Sequence, residues 1–268
     1  MSRISFIVLA NSQRAGSTLV QRILNQRRNL FVWGESGDFL PNFADTEQEA
    51  LLFSADSAAL REVYLPLKST HGVSLDALKR MQNLSPDVAT IRAATEAGLR
   101  EYGRVFHRLP AYDEVGFKVV RATGRDVDLC CRAWPDAVKL LVFREPGAVY
   151  CSLPKTWRDA HNISPEVFSN QWIESACQFL EYSHSRKNCY LIDYDGLVRG
   201  GRSRSRLLLL ADLELHEIES VLAFRLNPTL AQERASEEAV SKVRARCYET
   251  YKNIRHFSEL IEEHTPPP

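Results

Sequence analysis

Five short apolar runs recur along the chain, and each is continuous rather than alternating between apolar and polar positions. Strands of this kind are buried on both faces, as in a parallel sheet that helices cover on each side. The pattern predicts strands at residues 5–10, 30–33, 115–120, 138–143 and 190–192.

Segments with a helical period separate these runs. In residues 17–25, Val20, Ile23 and Leu24 share one side of a helix and polar residues occupy the other. An alternation of strands and helices predicts an α/β fold with three layers and a central parallel sheet joined by right-handed crossovers. Further helices are predicted at residues 125–134, 147–157 and 165–185.

The segment between the second and third predicted strands is long and rich in helical pattern. It predicts a helical insertion at about residues 36–110, placed to cover an active site. Residues 202–263 also favour helix. Because the sequence contains no repeat and no low-complexity linker, we expect one domain spanning residues 1–268.

Composition narrows the possible partners. The chain has 268 residues, 34 Lys+Arg and 34 Asp+Glu, and this balance argues against a broad nucleic-acid or membrane surface. The apolar runs are shorter than the roughly 18–20 residues that span a bilayer, and the N-terminal run is too short for a signal peptide. The six cysteines form no C-x-x-C pair and no zinc spacing. We therefore expect a cytoplasmic protein with reduced thiols and no metal site.

The stretch SFIVLANSQRAGSTL, at residues 5–19, has the form of a strand, a phosphate-binding loop and a helix. The template G-x-x-x-x-G-K-[ST] fails on it, because Gly16 falls where the lysine belongs, and this disfavours hydrolysis of ATP or GTP. Backbone amides, the hydroxyls of Ser17 and Thr18, and the Arg14 guanidinium could still hold an anion at the helix start. A plain strand–turn–helix corner capped by Ser17 is the alternative.

A second stretch, VKLLVFREPGAVYCSL at residues 138–153, has a related form. Arg144 ends a buried strand, and Pro146 suits the first turn of the following helix. Ser152 follows about two helical turns later. Arg144 and Ser152 could converge on a second anionic group at the carboxyl edge of the sheet. The alternative is an arginine in a surface salt bridge beside an ordinary helix serine.

Together the two stretches resemble sulfotransferases that use 3′-phosphoadenosine-5′-phosphosulfate (PAPS). QRAGSTL is similar to their 5′-phosphosulfate loop, and FREPGAVYCSL is similar to their 3′-phosphate motif, R-x-P-x-x-x-x-x-S. IDYDGLV, at residues 192–198, is a weaker match to their Y-E-D-L segment. The resemblance implies a P-loop-like fold, PAPS as donor and 3′-phosphoadenosine-5′-phosphate (PAP) as product. It implies nucleotide contacts from Arg14, Ala15, Gly16, Ser17, Thr18, Leu19, Arg144 and Ser152.

The resemblance also implies catalytic positions. In the tyrosylprotein-like branch a glutamate follows the second strand and a lysine ends the third, which here are Glu35 and Lys118. The phenol-type branch has a histidine where this chain has Val120, so tyrosylprotein, carbohydrate and bacterial members are the nearer match. Glu35 would act as the base, while Arg14 and Lys118 would stabilise developing negative charge, with no metal.

Rival assignments stay open at this point. Glu35 could instead cap a helix, and Arg121 competes with Lys118. His107 and His161 are alternative bases. The family's C-terminal nucleotide-binding segment has no clear counterpart, and only Lys242 and Arg244 are candidates for it.

The acceptor is expected to be a hydroxyl of a small natural product or a carbohydrate. Its specificity should come from the insertion and the C-terminal helices. The insertion offers Phe39, Leu40, Phe43, Phe53, Tyr64 and Phe106 as apolar side chains. Two other functions remain, namely an ATP- and magnesium-dependent small-metabolite kinase and a catalytically inactive nucleotide-binding domain of the same fold.

Overall fold

Five parallel strands form one sheet at the centre of the molecule. The computed structural model describes residues 3–35, 37–62, 65, 84–106, 109, 111–223 and 234–260. The strand order is β2-β3-β1-β4-β5. All five predicted strands are confirmed, with β1 beginning two residues earlier and β2 ending two residues later than predicted. The strands are β1 (Arg3–Ala10), β2 (Leu30–Glu35), β3 (Glu114–Val120), β4 (Val138–Phe143) and β5 (Cys189–Asp193).

Helices connect and cover the strands. In chain order they are α1 (Ser17–Leu24), α2 (Phe39–Asp56), α3 (Val88–Phe106), α4 (Gly124–Ala133), α5 (Pro146–Ser152), α6 (Lys155–Ala160), α7 (Pro165–Ser185), α8 (Tyr194–Arg199), α9 (Arg202–Ala211), α10 (Leu215–Ala223) and α11 (Glu237–Glu259).

The core lies on both faces of the sheet. Along β1, Ile7 and Leu9 point into the cluster that contains α4, α7 and α11. Phe6 and Val8 point into the opposite cluster, which contains α1, α9 and α10. Successive side chains of a strand alternate between faces, so a strand buried on both sides must be apolar at every position. The prediction of a three-layer α/β fold is confirmed.

The prediction of one continuous helix at residues 147–157 is wrong. The chain leaves the helical conformation at Leu153, whose ψ is 130°, and resumes in α6 after Pro154. Proline disfavours the helical conformation in the residue that precedes it. As a result Ser152 is the last residue of α5.

Helices make up most of the described residues in the two segments predicted to be helical. Helices α2 and α3 fall within the predicted insertion, of which residues 36, 63–64, 66–83, 107–108 and 110 lie outside the described part. Phe39 and Leu40 lie in the core on one face of the sheet and Phe43 packs against it, while a role for them in binding the acceptor stays a prediction. Phe53 is exposed, and Tyr64 lies outside the described residues. Within residues 202–263 the structure has α9, α10 and α11, with residues 224–233 and 261–263 not described.

The carboxyl edge of the sheet contains a topological switch point. The segment after β1 leads to α1 on one face, and the segment after the neighbouring β4 leads to α5 on the other. Open α/β sheets bind ligands in the crevice that such a divergence creates. The site is therefore expected above the ends of β1 and β4.

Candidate active site

The loop at residues 11–16 joins β1 to α1, and its last residue can only be glycine. Gly16 caps α1 in the left-handed region, with φ of 103°. A Cβ built on it would lie 2.0 Å from Cδ2 of Tyr194, the first residue of α8. Gly16, rather than Ser17, is the N-cap, so the alternative of a corner capped by Ser17 is not what the chain forms. The loop thus presents the amino end of α1 closely covered by an aromatic ring.

Arg144 joins the two predicted anion-binding corners. Its Nη1 donates a hydrogen bond to the Arg14 carbonyl at 3.4 Å, and its guanidinium lies 4.5 Å from the centroid of the Tyr194 ring. Its Nε is buried and has no hydrogen-bond partner among the described residues. Within the described residues Arg144 forms no salt bridge, which sets aside the alternative of a surface ion pair. The two cationic segments therefore meet in one place.

Lys118 and Glu35 face each other across neighbouring strands. They are paired in the β2–β3 register, and Lys118 Nζ lies 3.1 Å from Glu35 Oε1. Nζ also donates to Thr18 Oγ1 at 3.1 Å, which ties the pair to the first turn of α1. The lysine side chain is 6% exposed and the glutamate side chain 52%. Glu35 does not cap a helix, because the N-cap of α2 is Asp38.

The remaining loop residues differ in exposure. Arg14 has a left-handed backbone, with φ of 63°, and an exposed side chain. Ala15 and Ser17 are buried, while Thr18 and Leu19 are half-buried. Within α1 the first amides have no preceding helical carbonyl to bind, which leaves them available to an anion.

Ser152 is not brought to Arg144 by any contact within the described residues. Its hydroxyl donates to the Val149 carbonyl at 2.8 Å, and the residue is exposed at the far end of α5. A phosphate contact from Ser152 stays a prediction.

The amino end of α5 is occupied by Glu145. Its carboxylate caps the helix by accepting from the amides of Gly147, at 2.9 Å, and Ala148, at 2.6 Å. The same carboxylate pairs with Arg244 of α11, with Nε 3.3 Å from Oε1. A Cβ on Gly147 would lie 2.6 Å from the Arg244 side chain, so this glycine lets α11 approach. Arg244 therefore lies beside the Arg144 segment.

Three rival candidates take other places. Lys242 pairs with Glu238 at 2.7 Å, and both side chains are exposed. Arg121 pairs with Asp38 at 3.5 Å instead of joining Lys118 at Thr18. His161 packs against Trp157 in a tilted arrangement, with ring centroids 4.7 Å apart. His107 lies outside the described residues.

Asp193 supports Tyr194 from within the fold. Its Oδ1 caps α8 by accepting from the Asp195 amide at 3.1 Å, and its own amide donates to Ser203 Oγ at 2.9 Å. Burial raises the pKa of Asp193 to about 6, and Arg255, 3.7 Å away, opposes that rise only weakly. The buried carboxyl fixes the start of the helix that carries the ring over Gly16.

Sequence reasoning gave no role to two residues that the structure places at the site. Tyr194 belongs to the segment IDYDGLV, which was noted as a motif, but its packing on Gly16 and Arg144 requires the sheet order. Glu145 stands between two motif residues, and only its contact with α11 shows that it brings in Arg244.

Two features are absent from the described residues, namely a metal-binding cluster and a membrane-spanning helix. No group of three or more His, Cys, Asp or Glu side chains there could hold a metal ion. No helix in that part of the chain combines the length and hydropathy required to cross a bilayer.

The structure thus has a loop without lysine between β1 and α1, at the switch point of a parallel sheet. The chain belongs to the sulfotransferase family, whose profile matches residues 7–215. No curated protein sequence matches it significantly.

Solved structures similar to this chain are bacterial sulfotransferases. One from Alicyclobacillus acidocaldarius is 13% identical, with 98% of each chain covered and a TM-score of 0.50. The sulfotransferase domain of the Synechococcus PCC 7002 olefin synthase is 14% identical, with 98% of each chain covered and a TM-score of 0.45. The sulfotransferase STF1 of Mycobacterium tuberculosis H37Rv is 12% identical, covering 92% of this chain and 76% of its own, with a TM-score of 0.49. At 13% identity, the likeness to the Alicyclobacillus structure concerns the fold alone.

Proposed function

We propose that this chain transfers the sulfuryl group of PAPS to an acceptor hydroxyl of a small natural product or a carbohydrate. The observation that carries the proposal is the contact between the two cationic segments, where Arg144 Nη1 lies 3.4 Å from the Arg14 carbonyl. A nucleotide with anionic groups at both its 5′ and 3′ positions needs two such segments within the span of one ribose. Membership of the sulfotransferase family supports the same chemistry.

The residues present fit this nucleotide. The α1 amino end, with Gly16, Ser17 and Thr18, would hold the 5′-phosphosulfate. The buried Nε of Arg144, which has no partner in the part of the chain that the structure describes, would donate to the 3′-phosphate. The exposed Ser152 would be a further donor to that phosphate.

Chemistry would be carried by three side chains at the end of the sheet. Bound PAPS supplies a sulfuryl group attached to a phosphate leaving group. Arg14 and Lys118 stabilise the negative charge that develops as the bond to that phosphate weakens. Glu35 Oε1 contacts Lys118, so we assign acceptance of the hydroxyl proton to Oε2. Lys118, held by both Thr18 and Glu35, keeps the base close to the sulfuryl site.

The test combines PAP binding by calorimetry with transfer from labelled PAPS to pooled acceptors. Arg144→Ala should weaken PAP binding about 10–100-fold, the range for a lost charge-assisted hydrogen bond. Arg104→Ala is the matched control, because Arg104 pairs with Glu101 on the exposed surface of α3. Glu35→Gln should lower kcat about 100-fold or more and leave PAP affinity within about twofold.

Three results would contradict the proposal. Unchanged PAP affinity in Arg144→Ala would remove Arg144 from the site. A thermal shift with ATP and magnesium, but none with PAP, would indicate a kinase. PAP binding without transfer to any acceptor pool would indicate a nucleotide-binding protein that lacks turnover.

A further inference from the structure

A cavity of about 430 Å³ opens at the carboxyl edge of the sheet. Its walls come from residues 11–13 of the anion loop, residues 121–123 after β3, and the region from the end of α5 to α7. Its size falls in the range of small-molecule sites, roughly 300–1,000 Å³. Residue 13 directly precedes Arg14, and residue 121 follows Lys118 by three positions. The cavity therefore opens at the same edge of the sheet as the residues assigned to catalysis.

Aromatic rings dominate one side of this cavity. Trp157, Phe168 and Trp172 line it, and His161 packs against Trp157. Rings of this kind favour flat, apolar ligands through stacking and edge contacts.

Charged side chains stand only at its exposed edge, as far as the described lining extends. Arg121 is exposed and neutralised by Asp38 at 3.5 Å. Glu174 is exposed and accepts a hydrogen bond from Gln178 at 3.4 Å. An occupant matched to such a lining carries no net charge.

Most polar groups of the lining are already satisfied within the protein. Ser175 Oγ donates to the Ala122 carbonyl at 3.1 Å. Gln178 Oε1 accepts from the Gly124 amide at 2.6 Å. These groups therefore have little to offer a ligand.

Two buried donors on the cavity wall are the exception. Asn11 Oδ1 accepts from Ser12 Oγ at 3.1 Å, but Asn11 Nδ2 has no partner among the described residues. Trp172 Nε1 also has none. Asn11 is 6% exposed and Trp172 is 1% exposed. Buried donors without partners are rare in folded proteins and call for an acceptor atom.

We propose that this cavity binds the acceptor, and that the acceptor is an uncharged aromatic hydroxyl compound with a carbonyl or ether oxygen. That oxygen accepts a hydrogen bond from Asn11 Nδ2 or Trp172 Nε1, and the ring lies against Trp157. This inference rests on the proposed function and narrows its acceptor class. The phenolic oxygen forms the new S–O bond, and its proton goes to Glu35. The bond between sulfur and the bridging oxygen breaks, and that oxygen leaves with the electron pair on PAP.

The first experiment compares two probes of similar shape, 4-hydroxyacetophenone and 4-ethylphenol, which differ in the carbonyl oxygen. We expect a hydrogen bond from the carbonyl oxygen to a buried donor to raise the ratio of kcat/KM, ketone over 4-ethylphenol, about tenfold in wild-type protein with PAPS. Trp172→Phe keeps a ring but lacks the N–H, and Asn11→Leu lacks the amide. At least one of these variants should lower the ratio about tenfold relative to wild type, a change that the different acidities of the two phenols cannot produce. The ratio is an internal control against a general loss of stability.

The second experiment blocks the cavity. Gln171→Trp places a bulky ring on an exposed α7 residue of the lining, and Glu181→Trp places it on an exposed residue of the same helix outside the lining. The first should raise KM for 4-hydroxyacetophenone about tenfold or more, and the second should change it less than twofold. PAP affinity, measured for every variant, should stay within about twofold.

The outcomes separate the two proposals. Suppose that the protein binds PAP and sulfates sugars, and that Gln171→Trp, Trp172→Phe and Asn11→Leu leave this activity unchanged. That result would overturn the assignment of the cavity to the acceptor, and the proposed function would stand. A ratio that neither Trp172→Phe nor Asn11→Leu lowers would overturn the donor assignment. Absence of PAP binding would refute the proposed function. In that case, direct titration with 4-hydroxyacetophenone would test the cavity by itself. Binding that Gln171→Trp abolishes and Glu181→Trp does not would support the cavity as the binding site for this compound, and any other result would overturn it.

Discussion

Gly16→Ala is the substitution to which the site should respond most clearly. The added Cβ would lie 2.0 Å from Tyr194 Cδ2, whereas ordinary contacts begin near 3.4 Å. The backbone there has φ of 103°, a conformation that L-residues with a side chain rarely adopt. Both the loop and the ring must shift, and the ring supports the Arg144 guanidinium at 4.5 Å.

The magnitude follows from two contributions. The left-handed backbone costs about 1–2 kcal/mol for alanine. Displacing the ring loses packing and the cation–π contact, which is worth about 0.5–2 kcal/mol. We expect the free energy of unfolding to fall by about 2–4 kcal/mol in total, and PAP affinity to fall with it.

Gly37→Ala separates the two contributions. Gly37 has φ of 71°, and a Cβ there would meet nothing within 4 Å. It carries the backbone cost and the same change in the unfolded chain, without the clash. Urea unfolding should show Gly16→Ala to be the more destabilised by about 1–2 kcal/mol, with PAP binding weakened only in Gly16→Ala. Equal destabilisation, within about 0.5 kcal/mol, and equal PAP affinity would refute the reasoning.

Three further substitutions test the surroundings of the site. Burial raises the pKa of Asp193 to about 6 from a usual 3.8, so Asp193→Asn should increase the unfolding free energy at pH 8 by up to about 3 kcal/mol. This gain should shrink as the pH falls through 6 towards 4, because folded wild-type protein binds the proton more readily than the unfolded chain does. Urea titrations at pH 8 and pH 5 measure the difference. Arg132 holds three carboxylates at 2.6–2.9 Å and is 20% exposed, so Arg132→Met should cost about 3–5 kcal/mol in thermal or urea unfolding, against less than about 1 kcal/mol for Arg104→Met. Arg244→Ala should weaken PAP binding in calorimetry about fivefold or more, because the Glu145 carboxylate loses its partner and repels phosphate; unchanged affinity would place Arg244 outside the site.

The fold could be predicted from sequence because its signals are local. Every strand is an apolar run between polar segments, and a buried parallel strand requires that pattern on both faces. The break at Leu153 was also visible in principle, since Pro154 follows it directly. The prediction of one helix there gave the apolar pattern too much weight.

The site could be predicted only where a motif and a strand end coincide. Arg14, Arg144, Lys118 and Glu35 all stand at such ends, and the sheet brings them to one edge. Helix α11 brings Arg244 to Glu145 because of the way the helices pack on the sheet, and no sequence motif at Arg244 indicates this contact. The expectation that the insertion and the C-terminal helices give specificity stays a prediction, and the proposed acceptor cavity lies beside α6 and α7 instead. Which apolar residues of the insertion fill the core depends on side-chain partners far apart in sequence.

The central strand β1 cannot form its hydrogen bonds in the sheet until much later parts of the chain have been synthesised. β1 is made first but hydrogen-bonds to β3, which begins at Glu114, and to β4, which begins at Val138. At about 5–20 residues per second, ribosomes need roughly 5–20 s to supply the first of these neighbours. Throughout that interval the nascent chain carries an apolar segment with unpaired edges, which is a hazard for aggregation. The central strand of the folded protein is thus the segment of the nascent chain that we expect to need protection by a chaperone.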